Sequence, residues 1–241
     1  MKKNLVFSSA LLLAGALLAA DSSPKDDLTA AAKKLADAGS YSWKVTADFG
    51  PNSQFTPGPT EGKTEKNGLT WLSATFNDNT SVGLLKGTNV VIKTDDGWQT
   101  AAEATSGGGG GGFNPGTFMA RRLQNLKAPA AEVEDLVAKA KEIKKDGDTY
   151  SGELTEDGAK SLLSFGFGRR GGQQPPAATD AKGSVKFWLK DGALVKYESK
   201  VSGKREFNGE TRDIERTTTT EIKDVGTTKI EAPEEAKKKL P

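Results

Sequence analysis

Few side-chain types carry catalytic chemistry, and this chain lacks two of the most useful. It contains no histidine and no cysteine. Ser-His-Asp and Cys-His nucleophilic catalysis are excluded, as are ordinary zinc sites. Carboxylates remain. The run "DGDTYSGELTED", Asp146 to Asp157, has the outline of a calcium loop, but Tyr150 stands where a ligand belongs, Ser151 replaces the required glycine and Asp157 replaces the bidentate Glu. The pairs Asp95–Asp96 and Glu234–Glu235 fall in a turn and in a first helical turn, where adjacent carboxylates face solvent or favour the helix start. The glycine run at 106–116, "SGGGGGGFNPG", lacks the lysine and the strand-to-helix setting of a phosphate-binding loop. A single "GRRGG" reads as loop rather than as an RNA-binding repeat. These residues assign no catalytic group, no metal and no cofactor, so the chain is read as a non-enzyme.

Binding chemistry is better represented. In "YSWKVTADF", residues 41–49, Tyr41, Trp43, Val45, Ala47 and Phe49 alternate with Ser42, Lys44, Thr46 and Asp48. Side chains alternate across a strand, so this is a strand with one aromatic-rich face. "SVKFWLK" and "ALVKYESKV" flank Asp191-Gly192, a strong hairpin signal; they place Val185, Phe187 and Leu189, then Val195 and Tyr197, on a similar face. The candidate ligand-binding residues are Trp43, Val45, Phe187 and Tyr197.

Helices must supply what covers that face. "SSPKDDLTAAAKKLADAG" has Ser23 to cap, Pro24 for the first turn, a stripe of Leu28, Ala31, Ala32 and Leu35, and Gly39 to stop. "TFMARRLQNL" is a second helix. In "APAAEVEDLVAKAKEI", Val133, Leu136, Val137 and Ala140 form a stripe opposite Glu132, Asp135 and Lys139. "TEDGAKSLLSFGF" is capped by Thr155, with Leu162 and Leu163 on its apolar side. Leu28, Leu35, Leu136, Leu162 and Leu163 are expected to cover the Trp43 face.

Between these lie short strands joined by tight turns, an antiparallel meander. "TEGKTEK" reads as a polar edge or exposed strand, "LTWLSATF" as apolar on both faces, and "TSVGLLKG", "TNVVIKT" and "GWQTAAEA" as further strands. After the helices come "DTYSGEL", the hairpin and the threonine-rich "RDIERTTTTEIKDV". Pro233 starts a terminal helical turn. Flexible loops are expected at 106–116 and 168–183.

Composition bounds the setting. Lys2, Lys3 and the apolar run "LVFSSALLLAGALLAA" form a secretory signal over 1–20, leaving a single domain at 21–241. The product is expected to be exported, periplasmic or secreted, without stable membrane insertion. Basic residues number 34 and acidic 32; removing Lys2 and Lys3 leaves 32 against 32, so no overall field steers nucleic acid to the protein. Only 35% of residues are apolar, which favours one sheet with a wetted face over a doubly buried one.

The order of elements, with "DTYSGELTEDGAKSLL", "VKFWLKDGALVKYE" and the closing "TTTTEIKDVGTTKIEAPEEA", resembles the LolA/LppX-like family of exported lipid-handling proteins. The resemblance implies an α+β fold: an incomplete antiparallel β-barrel, a curved sheet of about ten strands, with helices packed on its concave face. It also implies a lipid or other apolar small molecule as partner. The absence of cysteine departs from the lipoprotein members. The other reading is an exported interaction or scaffold module whose core is filled by its own helices.

Overall fold

The computed structural model describes residues 22–51, 53, 57–76, 79–106, 114–164, 176–207 and 209–240. The expected signal segment, most of the loop at 106–116 and residues 168–175 lie outside that set.

Helix α1 (Pro24–Ala38) begins as its residues dictate. The Ser23 side chain accepts from the Asp26 N–H, Asp26 returns the bond to the Ser23 backbone, and Gly39 ends the helix at φ 68°. Strand β1 (Tyr41–Asp48) follows directly. Then come β2 (Thr60–Thr64), β3 (Leu69–Phe76), β4 (Asn79–Lys86), β5 (Asn89–Thr94) and β6 (Gly97–Thr100). Helices α2 (Ala101–Ser106), α3 (Pro115–Gln124) and α4 (Pro129–Lys139) come next. The chain continues through β7 (Lys144–Asp146), β8 (Thr149–Glu153), α5 (Glu156–Ser164), β9 (Thr179–Lys190), β10 (Ala193–Phe207), β11 (Glu210–Lys223) and α6 (Glu234–Lys238).

Among the described residues all strands join one antiparallel sheet of 11 strands in the order β6-β5-β4-β3-β2-β1-β11-β10-β9-β8-β7. The first strand pairs with the last, so both ends of the domain meet mid-sheet. The edges, β6 and β7, are only 4 and 3 residues long and do not pair with each other, leaving the barrel incomplete. Helices α1, α3, α4 and α5 bury their apolar stripes in one cluster with the inner face of the sheet. Leu28, Leu35, Leu136 and Leu163 are buried there, and Leu162 packs partly buried against them, as expected. A smaller cluster lies on the outer face, where Ala232, Ala236 and Leu240 of the C-terminal segment cover Leu84 and Val91. The two-sided apolarity of β3 follows: Leu72 and Ala74 belong to the inner cluster, Leu69 and Trp71 to the outer one.

Five expectations need correction. "TEGKTEK" is no edge: β2 lies between β1 and β3. It tolerates that place because Gly62 leaves room for the Trp43 indole. "GWQTAAEA" is strand only to Thr100. From Ala101 it is helix, started by Thr100 and Glu103, whose side chains bond each other's backbone N–H at 3.3 and 2.7 Å. The loop at 168–183 ends early, since β10 is 15 residues long and its far half supplies backbone partners for Thr179 onward. Five strands follow the helices rather than four, because Lys144–Asp146 folds back on β8. Val195 points outward, 36% exposed: a bulge between Leu194 and Lys196 makes it the extra residue. The Asp191-Gly192 hairpin forms as read, with φ positive at both residues (52° and 68°).

Candidate functional site

Register places the expected site residues on the inner face. One row of paired residues crosses the sheet as Tyr150, Phe187, Tyr197, Thr220, Val45, Thr60, Ala74 and Ser81. The neighbouring row runs Ile222, Trp43, Gly62, Leu72, Gly83 and Ile92. Phe187, Tyr197 and Val45 therefore share a row, and Trp43 stands in the next. Trp43, Phe187 and Tyr197 are 4%, 0% and 2% exposed, so helices already cover them; Val45 is half-buried. The Trp43 ring lies over Gly62, with its centroid 5.7 Å from that of Tyr41. Glycine in β4 does the same for α3: Leu123 and Met119 sit over Gly83.

This face is not purely apolar. The Tyr197 hydroxyl donates to Glu132 Oε2 of α4 at 2.5 Å. Burial pushes the Glu132 carboxyl above its ordinary range, against the opposing effect of that bond and of Arg216. Burial, then the Glu132 charge, holds the Tyr197 phenol well above its usual value. Arg205 Nη2 of β10 donates to the Leu163 carbonyl at 3.1 Å, and Arg216 Nη2 of β11 donates to the Leu162 carbonyl. Both carbonyls belong to the last turn of α5, whose negative dipole end suits cations. On the other side, Arg122 Nη2 of α3 donates to Thr60 Oγ1 at 2.6 Å and stacks near the Phe118 ring.

A pocket of about 300 Å³ opens beside this cluster, where the end of α1 and the start of α4 meet β1 and β2. Ala36, Gly39, Tyr41, Thr64, Ala128, Ala130, Ala131 and Glu134 line it. Its volume is at the small end of ligand pockets. Tyr41 is the link between it and the Trp43 row, whereas Trp43, Val45, Phe187 and Tyr197 lie deeper, under the helices. Its walls are small because α4 starts on an alanine-rich turn whose N-cap, Ala128, makes no side-chain bond.

Glu132, Arg205 and Arg216 were not legible as a group. Glu132 was assigned to the polar side of its helix, yet it lies one turn before Leu136 and so shares that buried flank. Arg216 has the strand parity of Ile214, Thr220 and Ile222, and Arg205 that of Tyr197 and Val201; both signals were present. Among the described residues no group of acidic side chains is arranged to hold a metal, and no helix is long and apolar enough to cross a membrane.

No protein-family model matches the chain, and no curated protein does. Among solved structures, the chain is similar to LprF from Mycobacterium bovis, with 13% identity over 88% of this chain and 98% of that one, at a TM-score of 0.44. It is also similar to the lipoprotein LppX from Mycobacterium tuberculosis, with 13% identity over 81% of this chain and 92% of that one, at a TM-score of 0.37.

Proposed function

We propose that this protein is an exported, non-enzymatic binder of a lipid or another apolar ligand, held between the inner face of the sheet and the helices that cover it. The observation carrying this reading is the alanine-lined pocket beside Tyr41, whose ring centroid lies 5.7 Å from that of Trp43 on the buried inner face. A ligand of acyl-chain shape enters at the pocket and reaches that surface as α4 and its neighbours shift. The apolar stripe of residues 5–20 behind Lys2 and Lys3 supports export.

Complete burial of Phe187 favours a second reading, in which the core is filled by the chain itself and the protein serves as an interaction module. The two separate in one experiment. Titration of the protein with dodecanol or a medium-chain fatty acid should change tryptophan fluorescence saturably. Ala131→Trp, at an exposed wall position, should weaken that response at least tenfold without lowering the melting temperature. Absence of any saturable response, together with no lipid in an organic extract of the purified protein, would establish the self-filled core.

A further inference from the structure

Glu132 stands among the residues at the start of α4 that line the pocket, Ala128, Ala130, Ala131 and Glu134. Its own carboxyl goes instead to the sheet, where Oε2 accepts the buried Tyr197 hydroxyl at 2.5 Å. Thr220, 0% exposed, lies beside Tyr197 in the same row, and the Tyr41 phenol faces the Ala130 backbone. Two phenols of the inner face therefore meet the first turns of this helix.

A carboxyl in this place has two forms with different needs. Protonated, it brings no charge into the apolar surface and still accepts the phenol's hydrogen bond. Ionised, it gains by turning outward to water. Among the described residues, the charged and titratable groups that face it are Tyr197 and Arg216 of the sheet, Lys127 before the helix and Asp135 within it. The Tyr197 bond and the charges of Arg216 and Lys127 favour the ionised form; burial and Asp135 oppose it, and burial dominates. Arg216 also bonds the Leu162 carbonyl and stands beside the charge of Arg205. The neighbouring helices direct their cations elsewhere: Lys25 of α1 to the Ala140 carbonyl, Arg122 of α3 to Thr60, and Lys160 of α5 to Glu156. An acid raised above its ordinary value of 4.5 lends the fold a contribution that is complete below that value and is lost as pH rises through the higher one. The seat of α4 is thus firmest in acid and weaker toward neutral pH.

We propose that Glu132 and Tyr197 form a proton-operated latch on α4. The protonated carboxyl holds the first turns of the helix against the aromatic row. Loss of that proton releases them, widens the pocket beside Tyr41 and raises affinity for an apolar ligand. Only this last step rests on the apolar-ligand reading. Ligand binding and proton release are then reciprocal.

The test follows amide hydrogen exchange of the full chain from about pH 5 to about pH 8, read as protection of α4 relative to α3. In the unaltered chain that ratio should fall about fivefold or more as pH rises. Glu132→Gln, neutral at every pH, should keep the acid level of protection throughout. Tyr197→Phe removes a bond that favours the charge, so the fall should move to higher pH; this variant decides if Glu132→Gln does not fold. Level protection in the unaltered chain, a fall that persists in Glu132→Gln, or a midpoint unmoved in Tyr197→Phe overturns the latch. Dodecanol, which does not titrate, should bind several-fold tighter at the upper pH than at the lower in the unaltered chain, and equally at both in Glu132→Gln. Equal binding by the unaltered chain overturns the coupling of latch to pocket and leaves the apolar-ligand function standing. No dodecanol binding, with the exchange pattern as expected, sinks the apolar-ligand reading and leaves the latch on α4 standing.

Discussion

Gly62→Ala is the most informative small change in the molecule. A Cβ built at residue 62 lies 2.1 Å from both Cε2 and Cζ2 of Trp43 and 2.7 Å from Cη2. Carbon atoms rest about 3.5–4.0 Å apart, so the indole must move by about 1.5 Å. It has little room, with Tyr41 beside it at 5.7 Å and Ile222 opposite it on β11. Overpacking of this kind costs about 1–3 kcal/mol. Against it stands the conformational gain of replacing a strand glycine, about 0.5–1 kcal/mol. The balance is a loss of about 1–2 kcal/mol, which for a domain of this size lowers the melting temperature by about 2–8 °C. Urea unfolding followed by circular dichroism should show a lower midpoint with an unchanged slope. Trp43→Phe removes the overlapping ring atoms, so the double variant should be at least about 1 kcal/mol more stable than the two single losses added together. A Gly62→Ala protein as stable as the parent, or strict additivity in the cycle, would refute the seating of Trp43 on β2 and with it the placement of the aromatic face.

Asp27 is held at about 2 by bonds from Ser22, Tyr150 and Lys145, below its ordinary 3.8. A depressed acid stabilises the fold fully above its unfolded pKa and loses that contribution as pH falls through the folded one, so the difference in melting temperature between the parent and Asp27→Asn should be largest at neutral pH and close as pH falls from about 4 to about 2. Trp43→Asp puts a charge in the core and should cost several kcal/mol, whereas Lys44→Thr, on the outer face between Glu61 and Glu221, should cost under about 1 kcal/mol; equal losses on thermal melting would reverse the facing of β1. Ending the chain after Glu231 uncovers Leu84 and Val91, now 0% exposed, and should lower the melting temperature and raise binding of a hydrophobic dye; an unchanged melt would show that the C-terminal segment is not needed on the outer face.

Local chemistry was legible wherever a residue acts on its own neighbours. Ser23 and Gly39 bound α1, Thr155 Oγ1 takes the Gly158 N–H at the start of α5, and Asp191-Gly192 turns the hairpin, because each effect spans a few residues. The Thr100/Glu103 pair was equally local and readable as a helix start, inside a run that reads as one more strand after the turn at Asp95-Asp96. What could not be read was set by pairing across the sheet. Whether β2 is central depends on Trp43 finding Gly62, 19 residues away in the chain as numbered. Val195 turns outward because β9 and β10 differ by one residue there. Glu132 becomes an inner-face group through Tyr197, on a strand the helix meets only in the folded state.

The two halves of the inner face are filled in different ways, and the difference bears on where a ligand enters. Over β3–β5, Met119 and Leu123 of α3 sit in the depression at Gly83; withdrawing them opens apolar surface on both sides, about 1.5–3 kcal/mol for each large side chain. Over β9–β11, α4 and α5 also contribute apolar side chains, but polar bonds fix their positions: Glu132 to Tyr197, Leu162 to Arg216 and Leu163 to Arg205. Bonds to charged groups contribute about 1.5–3 kcal/mol each, but unlike apolar contacts they can be re-formed with water or with a polar ligand atom. At its other end, α1 is tied to β7 and β8 by Asp27, which takes Tyr150 Oη at 2.7 Å and Lys145 Nζ at 2.9 Å. On the ligand-binding reading proposed above, the movement that admits a ligand is expected at α4 and α5, between the tied α1 and the interlocked α3. The pocket beside Tyr41 lies at the start of that same α4.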